Sequence, residues 1–237
     1  MAEGMLTLVD GTGIVLRRSG RARRMVLRVG RSDGRVVLTL PMGVALADAR
    51  RFVADQADWL ARHRAAAPGP QVVAEGVRFP VAGQMVEIAA RPGLRGARLE
   101  EGRLLVAAGR PPGPAVAGYL RAQARVALVE ACARHVTALG PARRLAGMSL
   151  RDTRSRWGSC SSAGRLMFSW RLAMAPPAVL DYVAAHEVAH LRHMDHSPAF
   201  WDAVAGLLPD HAAHRAWLRR HGSALLAWRF DAPALPD

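Results

Sequence analysis

Residues 186–196 read His186-Glu187-Val188-Ala189-His190-Leu191-Arg192-His193-Met194-Asp195-His196, and no other stretch restricts the fold as tightly. Two histidines four apart present their rings on the same side of a helix, one turn apart. A glutamate directly after the first adds a carboxylate within one side-chain length of whatever the rings hold. This H-E-x-x-H pattern suits two imidazole metal ligands and a base for a metal-bound water, but only if the segment is helical. Its context satisfies that condition. Pro176 and Pro177 mark a helix start. From 178 to 194 there is no Gly or Pro, and Val179, Val183, Ala184, Val188 and Leu191 recur at helical spacing.

Two residues compete to be a third ligand. His193 shares the face of His186 and His190, but its α-carbon lies about 10 Å along the axis from that of His186. Three rings stacked along one straight helix converge poorly on an ion that needs bonds of about 2 Å. His196 falls beyond the expected helix end. Ser197-Pro198 then reads as an N-cap and first helical residue opening the next helix. A histidine on that turn can fold back over the ion, and the geometry favours His196.

Around the motif stand Thr153-Arg154-Ser155-Arg156-Trp157-Gly158-Ser159-Cys160-Ser161 upstream and His196-Ser197-Pro198-Ala199-Phe200-Trp201 downstream. In order and spacing the chain resembles the YgjP-like metallopeptidase family, relatives of the SprT-like proteases, over about 21–228 and most sharply over 150–205. The resemblance implies a zincin-like, minigluzincin-type core. It also implies His186, His190 and His196 as Zn2+ ligands and Glu187 as catalytic base.

The fold class expected is α+β: an N-terminal β-rich accessory region over 1–114 with one helix, then a zincin-like helical catalytic core over 115–237 with a β-hairpin. Strands are expected over 25–29 and 36–40, joined by a turn at Arg31-Ser32-Asp33-Gly34, and a helix over 46–64. A linker follows at 65–70. Short strands are expected over 77–80, 85–89, 97–100 and 104–107, between glycine turns, and a long helix over 116–139. Segments 150–158 and 165–172 read as a hairpin about 161–164. Leu166, Phe168, Trp170 and Leu172 alternate, so one face of it packs inward. Two further helices are expected at about 198–208 and 210–221.

All 33 basic residues are arginine, and the formal net charge is +14. Such uniform use of arginine fits codon bias and weakens the reading of any one arginine as functional. Arg154 and Arg156 are nonetheless candidates to stabilise a developing oxyanion, because they precede the metal helix and share strand parity. Arg17, Arg18, Arg21, Arg23, Arg24 and Arg28 form a basic N-terminal patch that could attract nucleic acid, although few aromatics interleave to stack bases. Phe200 and Trp201 read as helix anchors and Trp157 as a packing residue or cleft wall. Cys132 reads as a small buried residue. Cys160 is a soft-ligand candidate made redundant by three histidines. His211, His214 and His221 read as surface residues.

Two cysteines make no disulfide framework, no stretch has the 18 apolar residues of a membrane span, and the start lacks a signal-peptide pattern. The expected setting is cytoplasmic, without a membrane. The expected function is zinc-dependent hydrolysis of a peptide or protein substrate, with the 165–172 strand a candidate to hold an extended peptide. A nucleotide phosphoanhydride is the alternative substrate on the same site, though no glycine-rich phosphate loop is present. A DNA-associated protease or nucleic-acid-binding module is a further alternative.

Overall fold

A computed structural model of the chain describes residues 3–8, 11, 13–30, 34–65, 69–140 and 144–231. It divides into two units, Met1–Pro70 and Gln71–Asp237. In the first, β1 (Glu3–Thr7), β2 (Gly13–Arg18), β3 (Val26–Val29) and β4 (Val36–Leu40) form a sheet of order β1-β2-β4-β3. Alternation along β4 buries Val36, Leu38 and Leu40. With Ile14 and Leu16 they pack on Ala49, Val53 and Leu60 of the helices α1 (Leu46–Asp55) and α2 (Ala57–Ala65). The expected single helix over 46–64 is therefore two. They are separated at Gln56, whose N–H bonds the Val53 carbonyl in a tightened turn. β1 and β2 were not expected from the sequence. The turn residues Arg31, Ser32 and Asp33 and linker residues 66–68 lie outside the described residues.

The second unit holds β5 (Gln71–Val72), β6 (Arg78–Val81), β7 (Gln84–Arg91), β8 (Ala97–Glu100) and β9 (Arg103–Ala107). The last four form a sheet of order β6-β7-β9-β8. The long helix α3 (Pro112–Leu139) follows, with prolines in its first turn and Gly140 closing it in the left-handed conformation. Next come β10 (Gly147–Arg151), β11 (Gly158–Cys160) and β12 (Arg165–Ser169), a 3-10 turn at Trp170–Met174, and α4 (Pro177–Ala189). α5 (Pro198–Leu207), α6 (His211–Ala227) and β13 (Trp228–Arg229) end the unit, with β13 beside β5.

The expected hairpin survives only in its second half. β11 and β12 are antiparallel about 161–164, whereas β10 runs parallel to β12 on its other side. Residues 152–157 form no strand. β12 is thus the central strand of the order β10-β12-β11, and its edges are taken. The expectation that 165–172 could accept an extended peptide is corrected: β11 and β10 are the edges.

α4 is buried on nearly every side, with Ala184, Ala185, Val188 and Ala189 fully inaccessible. An all-round apolar helix belongs at the centre of a core, and small residues let its neighbours approach closely. The β6–β7 turn secures its start: the N–H groups of Ala82 and Gly83 donate to the carbonyls of Ala173 and Met174 at 2.8 and 3.0 Å. Gly83 has φ +80°, and a Cβ there would lie 2.8 Å from Pro176. α3 is tied to α4 by Asp181, which accepts from His135 Nε2 at 2.9 Å and from Arg134 at 3.0 Å. The hydrogen bond from His135, with the charges of both partners, holds the Asp181 carboxyl below its ordinary pKa.

Arg171 is 1% exposed. Its guanidinium grips both carboxylate oxygens of Asp152 at 2.6 and 3.3 Å and donates to the carbonyls of Leu225 and Trp228 at 3.3 and 2.9 Å. One side chain thus pins the start of the 152–157 loop to the end of α6. Removing it strands two buried carbonyls and leaves a cavity. Arg171→Leu is expected to cost about 3 kcal/mol, read from the midpoint of urea unfolding; a loss below about 0.5 kcal/mol, the scale of an ordinary surface change, would contradict this account of the loop.

Candidate metal centre

Among the described residues, His186, His190 and His196 form a group able to hold a metal ion, their candidate ligand atoms all lying within 4.8 Å of one another. The first two come from the end of α4. That helix stops at Ala189, within the stretch to 194 that lacks Gly and Pro, and His190 is its C-cap. Leu191, Arg192 and His193 then turn back through bonds to the carbonyls of Val188 and Ala189. The tightening takes His193 off the line of His186 and His190 and delivers His196 over them. Ser197 and Pro198 open α5 as expected, although the serine hydroxyl makes no cap bond.

The donor set fits a zinc-like ion. The Nε2 atoms of His186 and His196 are 3.2 Å apart, close to the ~3.3 Å edge of a tetrahedron with metal–nitrogen bonds of about 2.0–2.1 Å. His190 Nδ1 donates to the His193 carbonyl at 2.9 Å, the assignment of that proton following from the acceptor. This leaves Nε2 of His190 as its ligand nitrogen, the outer-sphere arrangement typical of metal-bound histidine. His193 contributes its backbone to the site. The His186 Nδ1 is buried without a partner.

Burial, reinforced by the neighbouring imidazoles and Arg215, drives the His186 pKa down to about 3. Burial also lowers His190. Both rings are therefore neutral donors at ordinary pH. Phe200, fully buried, is the platform beneath all three: it stacks on His190 with centroids 4.5 Å apart and meets His186 and His196 edge-on at 5.0 and 4.8 Å. Read from sequence as a helix anchor, it also fixes the rings; the signal was its place four residues after His196.

Glu187 is 5% exposed, and burial raises its carboxyl pKa to about 8 against an opposing pull from Arg156. The β11 backbone runs directly against it. A Cβ on Gly158 would come within 2.6 Å of the Glu187 Cγ and Oε1, so only glycine admits the carboxyl there. The Ser169 N–H donates to Trp157 O and the Ser161 N–H to Arg165 O. By the antiparallel alternation, the backbone groups of Gly158 and Cys160 point away from β12. β11 thus passes beside the buried acid at Gly158.

Arg154 and Arg156 sit exposed in the 152–157 loop, where the strand parity expected for them does not apply. Arg156 is near enough to Glu187 to lower its pKa. Trp157 packs against α6, its indole in contact range of a Cβ built on Gly222. Trp201 rests 5.7 Å from His186 and is capped by the Arg215 guanidinium at 4.5 Å. Arg215 is a charged neighbour of the site that sequence reading passed over. Cys160 donates to Ser161 O and is not in the metal-competent group. Cys132 is buried, its thiol pKa pushed up to about 12 chiefly by burial. His211 stacks on Trp201 and His214 pairs with Asp210 at 2.9 Å.

The raised Glu187 pKa has a stability consequence. Between its ordinary 4.5 and about 8, the folded chain holds a proton that the unfolded chain has lost, so stability falls as pH rises. His186 acts in the opposite sense from about 3 to 6.5, but its contribution is common to wild type and a Glu187→Gln variant. In metal-stripped protein, wild type is expected to lose stability relative to that variant from about pH 5 to pH 8, with a slope approaching ~1.4 kcal/mol per pH unit. Urea unfolding of both proteins across this range checks it; parallel pH profiles would contradict the buried-carboxyl assignment.

No curated protein and no solved structure matches the chain. A family does: the one described as YgjP-like, metallopeptidase domain, matches residues 23–221. That span covers most of both units and the whole histidine cluster with its adjoining glutamate, and the chain belongs to the YgjP-like metallopeptidase family.

Proposed function

We propose that this metallopeptidase is a zinc enzyme in which His186, His190 and His196 hold the ion and Glu187 is the general base. The observation that carries the reading is the convergence of three imidazoles, at least two held neutral by burial, beside a buried carboxyl on the same helix. Zinc bound there would lower the pKa of a coordinated water and polarise a substrate carbonyl. Glu187 takes the proton of the attacking water and passes it to the leaving nitrogen. Its apolar surroundings raise its proton affinity, and the Arg156 charge moderates that effect. Arg156, with Arg154 on the same loop, is proposed to stabilise the developing oxyanion. The substrate backbone is proposed to run past β11 at Gly158, which sets its carbonyl beside the base.

On this reading residues 115–237 are the catalytic core and 1–114 the accessory region. No described helix is long and apolar enough to cross a membrane, and a cytoplasmic, reducing setting suits a chain with only Cys132 and Cys160. A peptide or protein is the substrate, with a nucleotide phosphoanhydride the competitor to be tested.

Protein purified without added metal is expected to carry one equivalent of zinc, lost in His190→Ala. Glu187→Gln should keep the zinc and lose at least about a hundredfold in hydrolysis of labelled casein, the scale of general-base catalysis. Unchanged turnover with zinc bound, or cleavage of nucleoside triphosphates in place of casein, would overturn the reading. Gly158→Ala should likewise retain zinc while lowering casein hydrolysis at least about tenfold, because the added methyl displaces the carboxyl; wild-type rates would show that the close approach does not matter.

A further inference from the structure

The first unit carries a second strand edge, remote in sequence from the metal helix. β3 ends its sheet, and its register with β4 is unbroken from Val26–Thr39 to Val29–Val36. The Gly30 N–H continues the ladder to Arg35 O at 2.8 Å. In an antiparallel pair bonded positions alternate, so Val26 and Arg28 bond to β4. The N–H and C=O of Leu27 and Val29 face away from it.

Beside this edge lies a cavity of about 260 Å³ lined by Arg24, Met25, Val26, Leu27, Phe52 and Trp59, with Gln56 at the break between α1 and α2. Met25, Leu27, Phe52 and Trp59 are all only partly buried against the first unit's core. The arrangement joins a row of backbone donors and acceptors to an apolar slot large enough for one aliphatic side chain.

Charge selects the occupant. Residues 13–30 contain six arginines and no acidic residue. Arg18 is committed to the fold, donating to the carbonyls of Met42 and Val44 at 2.9 Å each. Arg21, Arg23, Arg24 and Arg28 are exposed along and just before β3. The acids Asp55 and Asp58 of the two helices are exposed and do not line the cavity. An arginine-bordered edge with an apolar slot suits an extended chain that alternates carboxylate and aliphatic side chains. Nucleic acid would match the charge but would use neither the slot nor the outward backbone groups, and aromatic faces for bases are few.

We propose that the β3 edge and its adjoining slot bind an extended acidic segment of a partner protein as an added strand, a docking site on the first unit. The probe is a fluorescein-labelled peptide of about eight residues, a usual strand length, alternating glutamate and valine, added to the full-length protein. Binding by fluorescence polarisation at low salt should weaken at least tenfold when glutamine replaces glutamate in the peptide. It should weaken as much in an Arg21→Gln, Arg23→Gln, Arg24→Gln variant, whose exposed positions leave the fold intact. Hydrogen exchange should slow at least tenfold at the amides of Leu27 and Val29 when the peptide is bound. No binding at low salt overturns the proposal. So does binding that leaves those two amides unchanged, or that survives the arginine changes and is lost on zinc removal, which assigns the peptide to the metal cleft. Single-stranded DNA bound through these arginines, with the peptide ignored, overturns it in favour of nucleic acid.

Discussion

His186 and His190 can sit side by side beneath His196 only while they stay uncharged. Protonated, these two rings, with centroids 5.1 Å apart, would repel each other. Burial and mutual proximity instead push His186 down to about pKa 3 and lower His190. Burial also makes the Glu187 carboxyl hold its proton more tightly. Burial thus produces two opposite effects along one helix: neutral nitrogen donors at His186 and His190, and a carboxyl with raised proton affinity at Glu187. Separation of proton affinities within a shared pocket is a recurring basis of acid–base chemistry.

The rest of the second unit exists around that pocket. α4 is enclosed on nearly all sides, so the desolvation is a property of the core itself. Phe200 supports the three rings from α5, its burial contributing roughly 1.5–3 kcal/mol while it restrains their orientation. Gly158 removes the one side chain that would collide with the carboxyl. Arg171 and Asp152 anchor the loop leading to Gly158, and His135 with Asp181 locks α3 to α4. Each contact is local, yet together they leave the metal helix few alternative positions.

The histidines were legible in the sequence because a four-residue spacing on a helix and a proline-led helix start are local signals. Four strands of the β6–β9 sheet were legible through their glycine turns. What escaped reading was set at long range. β10 pairs with β12 in parallel, and nothing in 150–158 states that its partner lies beyond the β11 hairpin. β1 carries Glu3, Gly4 and Thr7, and in β2 the apolar run Ile14-Val15-Leu16 is only three residues long before two arginines. Gln56 interrupts α1 and α2 without a glycine or proline to announce it. Arg171 was indistinguishable among 33 arginines, since only burial separates a structural guanidinium from a solvated one. Phe200 was read as core, and the contact with all three rings follows from the turn after His190.

X-ray absorption at the zinc edge of the full-length protein reads the proposed three-histidine site without relying on turnover. The expected spectrum has a first shell of nitrogen and oxygen only, at about 2.0–2.1 Å, with the outer-shell scattering of three imidazoles. A sulfur shell at about 2.3 Å, or scattering from fewer than three imidazoles, would contradict it.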